Sequence, residues 1–97
     1  MPRHAVLVRY GVKPGRMNDL MAVLRDHIAK TRASEPGCVQ FDVLIPHDEA
    51  DTVRLYEVYA NEEAFDQHNK SEQLARYRKE SEPLLLDRNI VWCTVDD

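Results

Sequence analysis

Glycine is scarce in this chain, three of 97 residues, and Gly11, Gly15 and Gly37 stand too far apart to build a phosphate cradle. Nucleotide-binding loops need closely spaced glycines so that backbone N–H groups can approach a phosphate. Neither the dinucleotide nor the P-loop pattern occurs, and HExxH and the nucleophile elbow are missing too. Cysteine is equally short. Cys38 and Cys93 each sit in an apolar run, with no CxxC pair and no histidine at zinc-ligand spacing. They read as reduced, buried thiols of a cytoplasmic protein. The four histidines are scattered, His4 and His47 at an exposed terminus and loop, so no metal site is expected. The residues after Met-Pro-Arg-His hold no apolar stretch long enough for a signal peptide or a membrane span. Basic excess is missing as well: 13 Lys and Arg stand against 17 Asp and Glu, a net charge of −4. A nucleic-acid partner requires a basic stripe. The one basic cluster, Arg76, Arg78 and Lys79, is interleaved with Glu72, Glu80 and Glu82 and reads as a solvated helix face.

What is present fits one domain over residues 1–97. A chain this short buries only roughly 60–65 % of its unfolded surface, so pairing with a second copy would add core it lacks. Ala5–Val12 is β-branched and apolar and reads as a strand, followed by a Lys13-Pro14-Gly15 turn. The period then changes: Met17, Leu20, Met21, Leu24, Ile28 and Thr31 fall at helical spacing over residues 16–34. Pro36 and a helix-stopping Gly37 end that helix. Cys38–Ile45 alternates, with Val39, Phe41, Val43 and Ile45 on one face, and Pro46–Asp51 connects it to a strand over Val53–Tyr59. Asn61 caps a second helix that breaks near Lys70-Ser71, restarts on Ser71 and runs to Glu82, where Pro83 closes it. Ile90–Val95 is the last strand.

The order β-α-β-β-α-β predicts an α+β, ferredoxin-like fold: an antiparallel four-stranded sheet with the helices on one face. The other face is not cleanly polar. Leu7, Leu44, Tyr56 and Val58 point there, beside Gln40 and Asp42, and the last strand is apolar on both sides, Ile90 and Trp92 on one and Val91, Cys93 and Val95 on the other. A half-solvated sheet alternates more regularly, so this face predicts a homodimer.

Candidate chemistry falls on the helix-covered side. His68 shares a helix face with Phe65, and His27 lies beside Leu24 and Ile28 on the edge of the first helix's apolar stripe. Either is a satisfied core histidine or a proton-transfer group. Glu57 stands between Leu55 and Tyr59, where an unpaired carboxylate is costly. It is a base with a raised pKa, or half of a hydrogen-bonded pair with His68 or His27.

The series Glu35-Pro36-Gly37-Cys38, Phe41-Asp42-Val43, Tyr56-Glu57-Val58-Tyr59, Asn61-Glu62-Glu63, Ala64-Phe65, His68 and Ser71 resembles the antibiotic-biosynthesis monooxygenase (ABM) family. The resemblance implies the dimeric α+β barrel, with no cofactor. It implies an enzyme that oxidises quinols or anthrone-like polyketides with O₂, holding the substrate and favouring its enolate or phenolate. His68, Glu57 and His27 would supply the acid–base set, and Tyr59, Phe41 and Phe65 the substrate contacts. A branch of the family isomerises the phosphorylated autoinducer sugar of quorum sensing, and that chemistry requires cations at the pocket, for which Lys30 and Arg32 are candidates. A third reading is a non-catalytic, dimeric small-molecule-binding domain. Haem-degrading relatives are set aside: Arg78 falls where their iron-ligating histidine stands, Tyr59 where they carry a tryptophan, and Val8 near their strand-one asparagine. A guanidinium does not replace a neutral imidazole on iron.

Overall fold

The computed structural model describes residues 2–96. Strand β1 (His4–Val12) leads through a turn at Gly15, whose φ is +79°, into helix α1 (Met17–Ser34). Leu20, Leu24, His27 and Thr31 are the buried stripe of α1, a spacing that keeps one face on the sheet. Glu35 is extended, as the residue before Pro36 must be, and β2 (Cys38–Leu44) follows. Gly37 does not serve as a left-handed helix stop. It is a point of close approach: a Cβ there would lie 2.6 Å from the Ala64 Cβ. Strand β3 (Thr52–Tyr59) pairs with β2 and leads to α2 (Glu62–Asn69) and α3 (Glu72–Ser81). Both caps act as expected, Ala64 N–H donating to Asn61 Oδ1 at 2.8 Å and Leu74 N–H to Ser71 Oγ at 3.2 Å. A 3₁₀ turn at Glu82–Leu84 contains Pro83, and β4 (Leu85–Thr94) completes the sheet.

The sheet order is β2-β3-β1-β4, antiparallel throughout, so the ferredoxin-like expectation holds. Strand β4 starts five residues before the expected Ile90, because Leu85–Asn89 extend the pairing along β1 at an open edge, where the polar Asp87, Arg88 and Asn89 reach solvent. In β2 the register shifts between Cys38 and Gln40, and this bulge turns Val39 outward. Cys38 rather than Val39 therefore joins Phe41 and Val43 on the helix side.

Inside, cross-strand rows run Cys38–Tyr59–His4–Thr94, Phe41–Glu57–Val6–Trp92 and Val43–Leu55–Val8–Ile90. The helices pack over the β2–β3 side, and the β4 edge stays open, with Trp92 and Arg88 exposed. Outside, Leu7, Leu44 and Val91 are exposed around a shallow groove of about 280 Å³ that also meets Tyr56, Arg9 and Arg54. His4, expected at an exposed terminus, instead packs its ring 4.6 Å from that of Phe65. Among the described residues no helix is long and apolar enough to cross a membrane.

Candidate active site

Between the sheet and the helices lies a cavity of about 50 Å³. Its floor is Val6, Val8, Leu55, Phe41, Glu57 and Ile90 from the sheet, and its roof is His27, Phe65, His68, Leu74 and Tyr77 from the three helices. Tyr10, Arg78, Arg88, Asn69 and Trp92 complete the lining. The lining is mostly apolar, with charge at a few points, as a small-molecule site requires.

His68, Glu57 and His27, separated by up to 41 positions in the chain, thus meet around one space. The pairing left open between Glu57 and the histidines takes neither form. Tyr59 Oη donates to Glu57 Oε1 at 2.7 Å, while His68 Nδ1 lies 2.9 and 3.1 Å from the two carboxylate oxygens of Glu35. Tyr59 is fully buried and is not among the residues that line the cavity, and its hydroxyl holds Glu57. Phe41 and Phe65 do line it.

Burial pushes the Glu57 carboxyl up to about 7, against the opposing pull of the Tyr59 hydrogen bond and the Arg78 charge. Burial likewise lowers His68, and the Glu35 contact works the other way. A lowered imidazole beside a carboxylate carries its one proton on Nδ1, donated to Glu35, which leaves the Nε2 lone pair as a base. Gln73 Nε2 donates to the same Glu35 carboxylate and to Ser34 Oγ, fixing the end of α1 against α3. Burial, followed by the neighbouring His68, brings His27 down to about 4. Its neutral ring stacks on Tyr77 at 4.3 Å and stands 5.5 Å from His68. The Tyr77 hydroxyl in turn donates to Tyr10 Oη at 2.9 Å.

Sequence reasoning did not single out Glu35, Tyr77 or Arg88 as site residues. The i, i+3, i+7 stripe of Leu74, Tyr77 and Ser81 on α3 was available as a signal for Tyr77. Nothing local marks Glu35, whose partner lies 33 positions away. Arg78, read as part of a solvated face, lies at the cavity. The expected cations do not: Lys30 pairs with Asp26 at 2.8 Å, and neither it nor Arg32 lines the space. Among the described residues no group of three or more His, Cys, Asp and Glu side chains is placed to hold a metal ion.

A ferredoxin-like sheet with a carboxylate-tied histidine over its covered face defines a small α+β domain. The chain belongs to the antibiotic biosynthesis monooxygenase family, whose model matches residues 3–80. Solved structures agree in fold. A Caulobacter crescentus CB15 protein, whose description carries the same family term, superposes with a TM-score of 0.95 at 21 % identity, over 99 % of this chain and 92 % of that one. A conserved protein of Methanosarcina mazei Go1 gives 0.91 at 21 %, over 99 % and 95 %. A Mycobacterium tuberculosis protein gives 0.88 at 28 %, over 98 % and 96 %. Comparison with curated proteins gives no match.

Proposed function

We propose that this chain is a cofactor-independent monooxygenase of small quinol-like or polycyclic phenolic substrates. The observation that carries the reading is the Glu35–His68 pair, which presents a neutral imidazole to a mostly apolar cavity. His68 Nε2 takes a hydroxyl proton from the substrate, and the phenolate so formed is electron-rich enough to reduce O₂. One oxygen atom enters the ring, the other leaves as water, and the quinol becomes a hydroxylated quinone. Glu57, with a proton affinity near neutrality, returns or accepts the second proton. His27, held neutral, neither competes for the proton nor repels a charged His68. Oxygen uptake with a panel of quinols and anthrones tests the reading. Wild type should consume oxygen with at least one of them, and His68→Ala should lose about a hundredfold or more of that rate; enzyme-independent consumption across the whole panel refutes it.

The working form we propose is a cytoplasmic homodimer. In its support, Leu7, Leu44 and Val91 are exposed together on the sheet face that the helices leave bare. The two unpaired thiols, Cys38 and Cys93, are what a reducing compartment leaves. Light scattering at micromolar concentration should give twice the 11.3 kDa chain mass, and a particle of one chain mass overturns the dimer.

A further inference from the structure

The cavity under His68 is too small to hold a whole ligand. It measures about 50 Å³, whereas ligand pockets run to about 300–1,000 Å³. A second cleft of about 380 Å³ adjoins it, lined by Arg78, Glu82, Leu85, Leu86, Asp87 and Arg88. Arg78 and Arg88 are the residues common to the two spaces. Arg78 follows Tyr77 on α3, and Arg88 stands opposite Tyr10 on the open edge strand. Among the described residues neither guanidinium forms an ion pair, and Arg78 makes only a 3.5 Å contact with Asn69 Oδ1. Two carboxylates, Glu82 and Asp87, line the same cleft, but neither stands at ion-pair distance from Arg78 or Arg88, whose guanidiniums are left to face an oxyanion. The carboxylate of Asp87 in the same cleft is already engaged, its Oδ1 accepting from Gly11 N–H at 3.0 Å and from Arg9 at 3.4 Å. The Arg78 charge also reaches inward, lowering the proton affinity of Glu57, His27 and His68 alike.

We propose that Arg78 and Arg88 are an anion clamp at the junction of the two spaces. The substrate places its reacting end in the inner cavity and is held at the mouth by a carboxylate or phosphate, with the rest of the molecule in the outer cleft. This deepens the proton-transfer site and rests on that reading only for which end reacts. The guanidinium fork suits a planar or tetrahedral oxyanion, and because both side chains are exposed the attraction is sensitive to salt.

The test compares binding of hydroquinone, gentisate and para-hydroxyphenyl phosphate by isothermal titration calorimetry. These share a phenolic ring and carry no anion, a carboxylate and a phosphate. At least one anionic probe should bind wild type about tenfold or more tighter than hydroquinone, the contribution of one charge-assisted hydrogen bond, and the stronger of the two identifies the anion. The preference should fall to about twofold or less in Arg78→Gln/Arg88→Gln, shrink with added salt, and survive in Arg25→Gln, which removes an exposed charge elsewhere on α1. If the double variant does not fold, each single variant losing part of the preference supports the clamp. Equal binding of all three probes, a preference that survives loss of both arginines, or its equal loss in Arg25→Gln overturns it. Oxygen uptake by wild type is read separately. An anion preference without uptake leaves the clamp standing and removes the oxygenase reading, and uptake without a preference does the reverse.

Discussion

Replacing Glu57 with Gln isolates the cost of keeping a carboxyl on the covered face of the central strand β3. Glu57 is 6 % exposed, and burial raises its pKa from 4.5 to about 7. The sign follows from the order of the two values. Below pH 4.5 the group is protonated whether the chain is folded or unfolded, and its full contribution to stability is present. Between 4.5 and 7 the unfolded chain releases the proton and the folded one keeps it, so stability falls as pH rises, and above about 7 the loss is complete. A difference of about 2.5 units corresponds to about 3 kcal/mol at 1.36 kcal/mol per unit, of which about 2.5 kcal/mol falls between pH 5 and 9. Glu57→Gln has no charge to bury and keeps a carbonyl that accepts from Tyr59. Urea denaturation of both proteins at pH 5, 6, 7, 8 and 9 should show Glu57→Gln gaining on wild type by about 2–3 kcal/mol across the range, mostly below pH 7. Parallel stability curves would refute the reasoning, because they would mean that Glu57 titrates alike in the folded and unfolded chain.

Glu35→Gln removes the charge that holds His68 Nδ1–H while leaving an amide of the same shape. Turnover should drop about ten- to hundredfold, with the alkaline plateau reached at lower pH because the imidazole loses the group that raises its proton affinity. Unchanged turnover and an unchanged pH–rate profile would remove Glu35 from the site. Gly37→Ala puts a Cβ 2.6 Å from that of Ala64 and forces β2 and α2 apart, so thermal unfolding should show a loss of about 1–3 kcal/mol. A wild-type melting temperature in this variant would mean that the two segments separate freely.

The periodicities carry most of the fold because each element's buried face has its own spacing. The α1 stripe, the two side-chain caps at Asn61 and Ser71 and the apolar, β-branched runs of β1 and β3 are local facts, and all appear in the structure. What went unread depends on partners far along the chain. The Val39 bulge is invisible in CVQFDVL, which alternates without interruption, and only the pairing with β3 reveals the extra residue. The early start of β4 is hidden by the polar run Asp87-Arg88-Asn89, which separates Leu85 and Leu86 from the apolar Ile90–Val95 and tolerates strand geometry at an unpaired edge. For the site, helical spacing from Phe65 placed His68 inward, and burial between Leu55 and Tyr59 marked Glu57. Neither says which carboxylate meets which histidine. That depends on the end of α1, where Pro36 stops the helix and leaves Glu35 extended beside α2.

The distribution of protons in the site follows from its crowding. Two imidazoles 5.5 Å apart in a poorly hydrated space cannot both carry charge without strong repulsion, and only one of them has a carboxylate at hydrogen-bond distance. His27 has a stacked tyrosine and an Nδ1 without a hydrogen-bond partner, so it stays neutral down to about pH 4. Of the two imidazoles, His68 is therefore the one better able to accept a proton, because Glu35 offsets the new positive charge. Glu57 needs no such partner, since near pH 7 it is close to half-protonated and either gain or loss of a proton costs little. One unaided imidazole, one supported imidazole and one buried carboxyl differ in how readily each takes a proton, and we propose that the supported imidazole acts as the base.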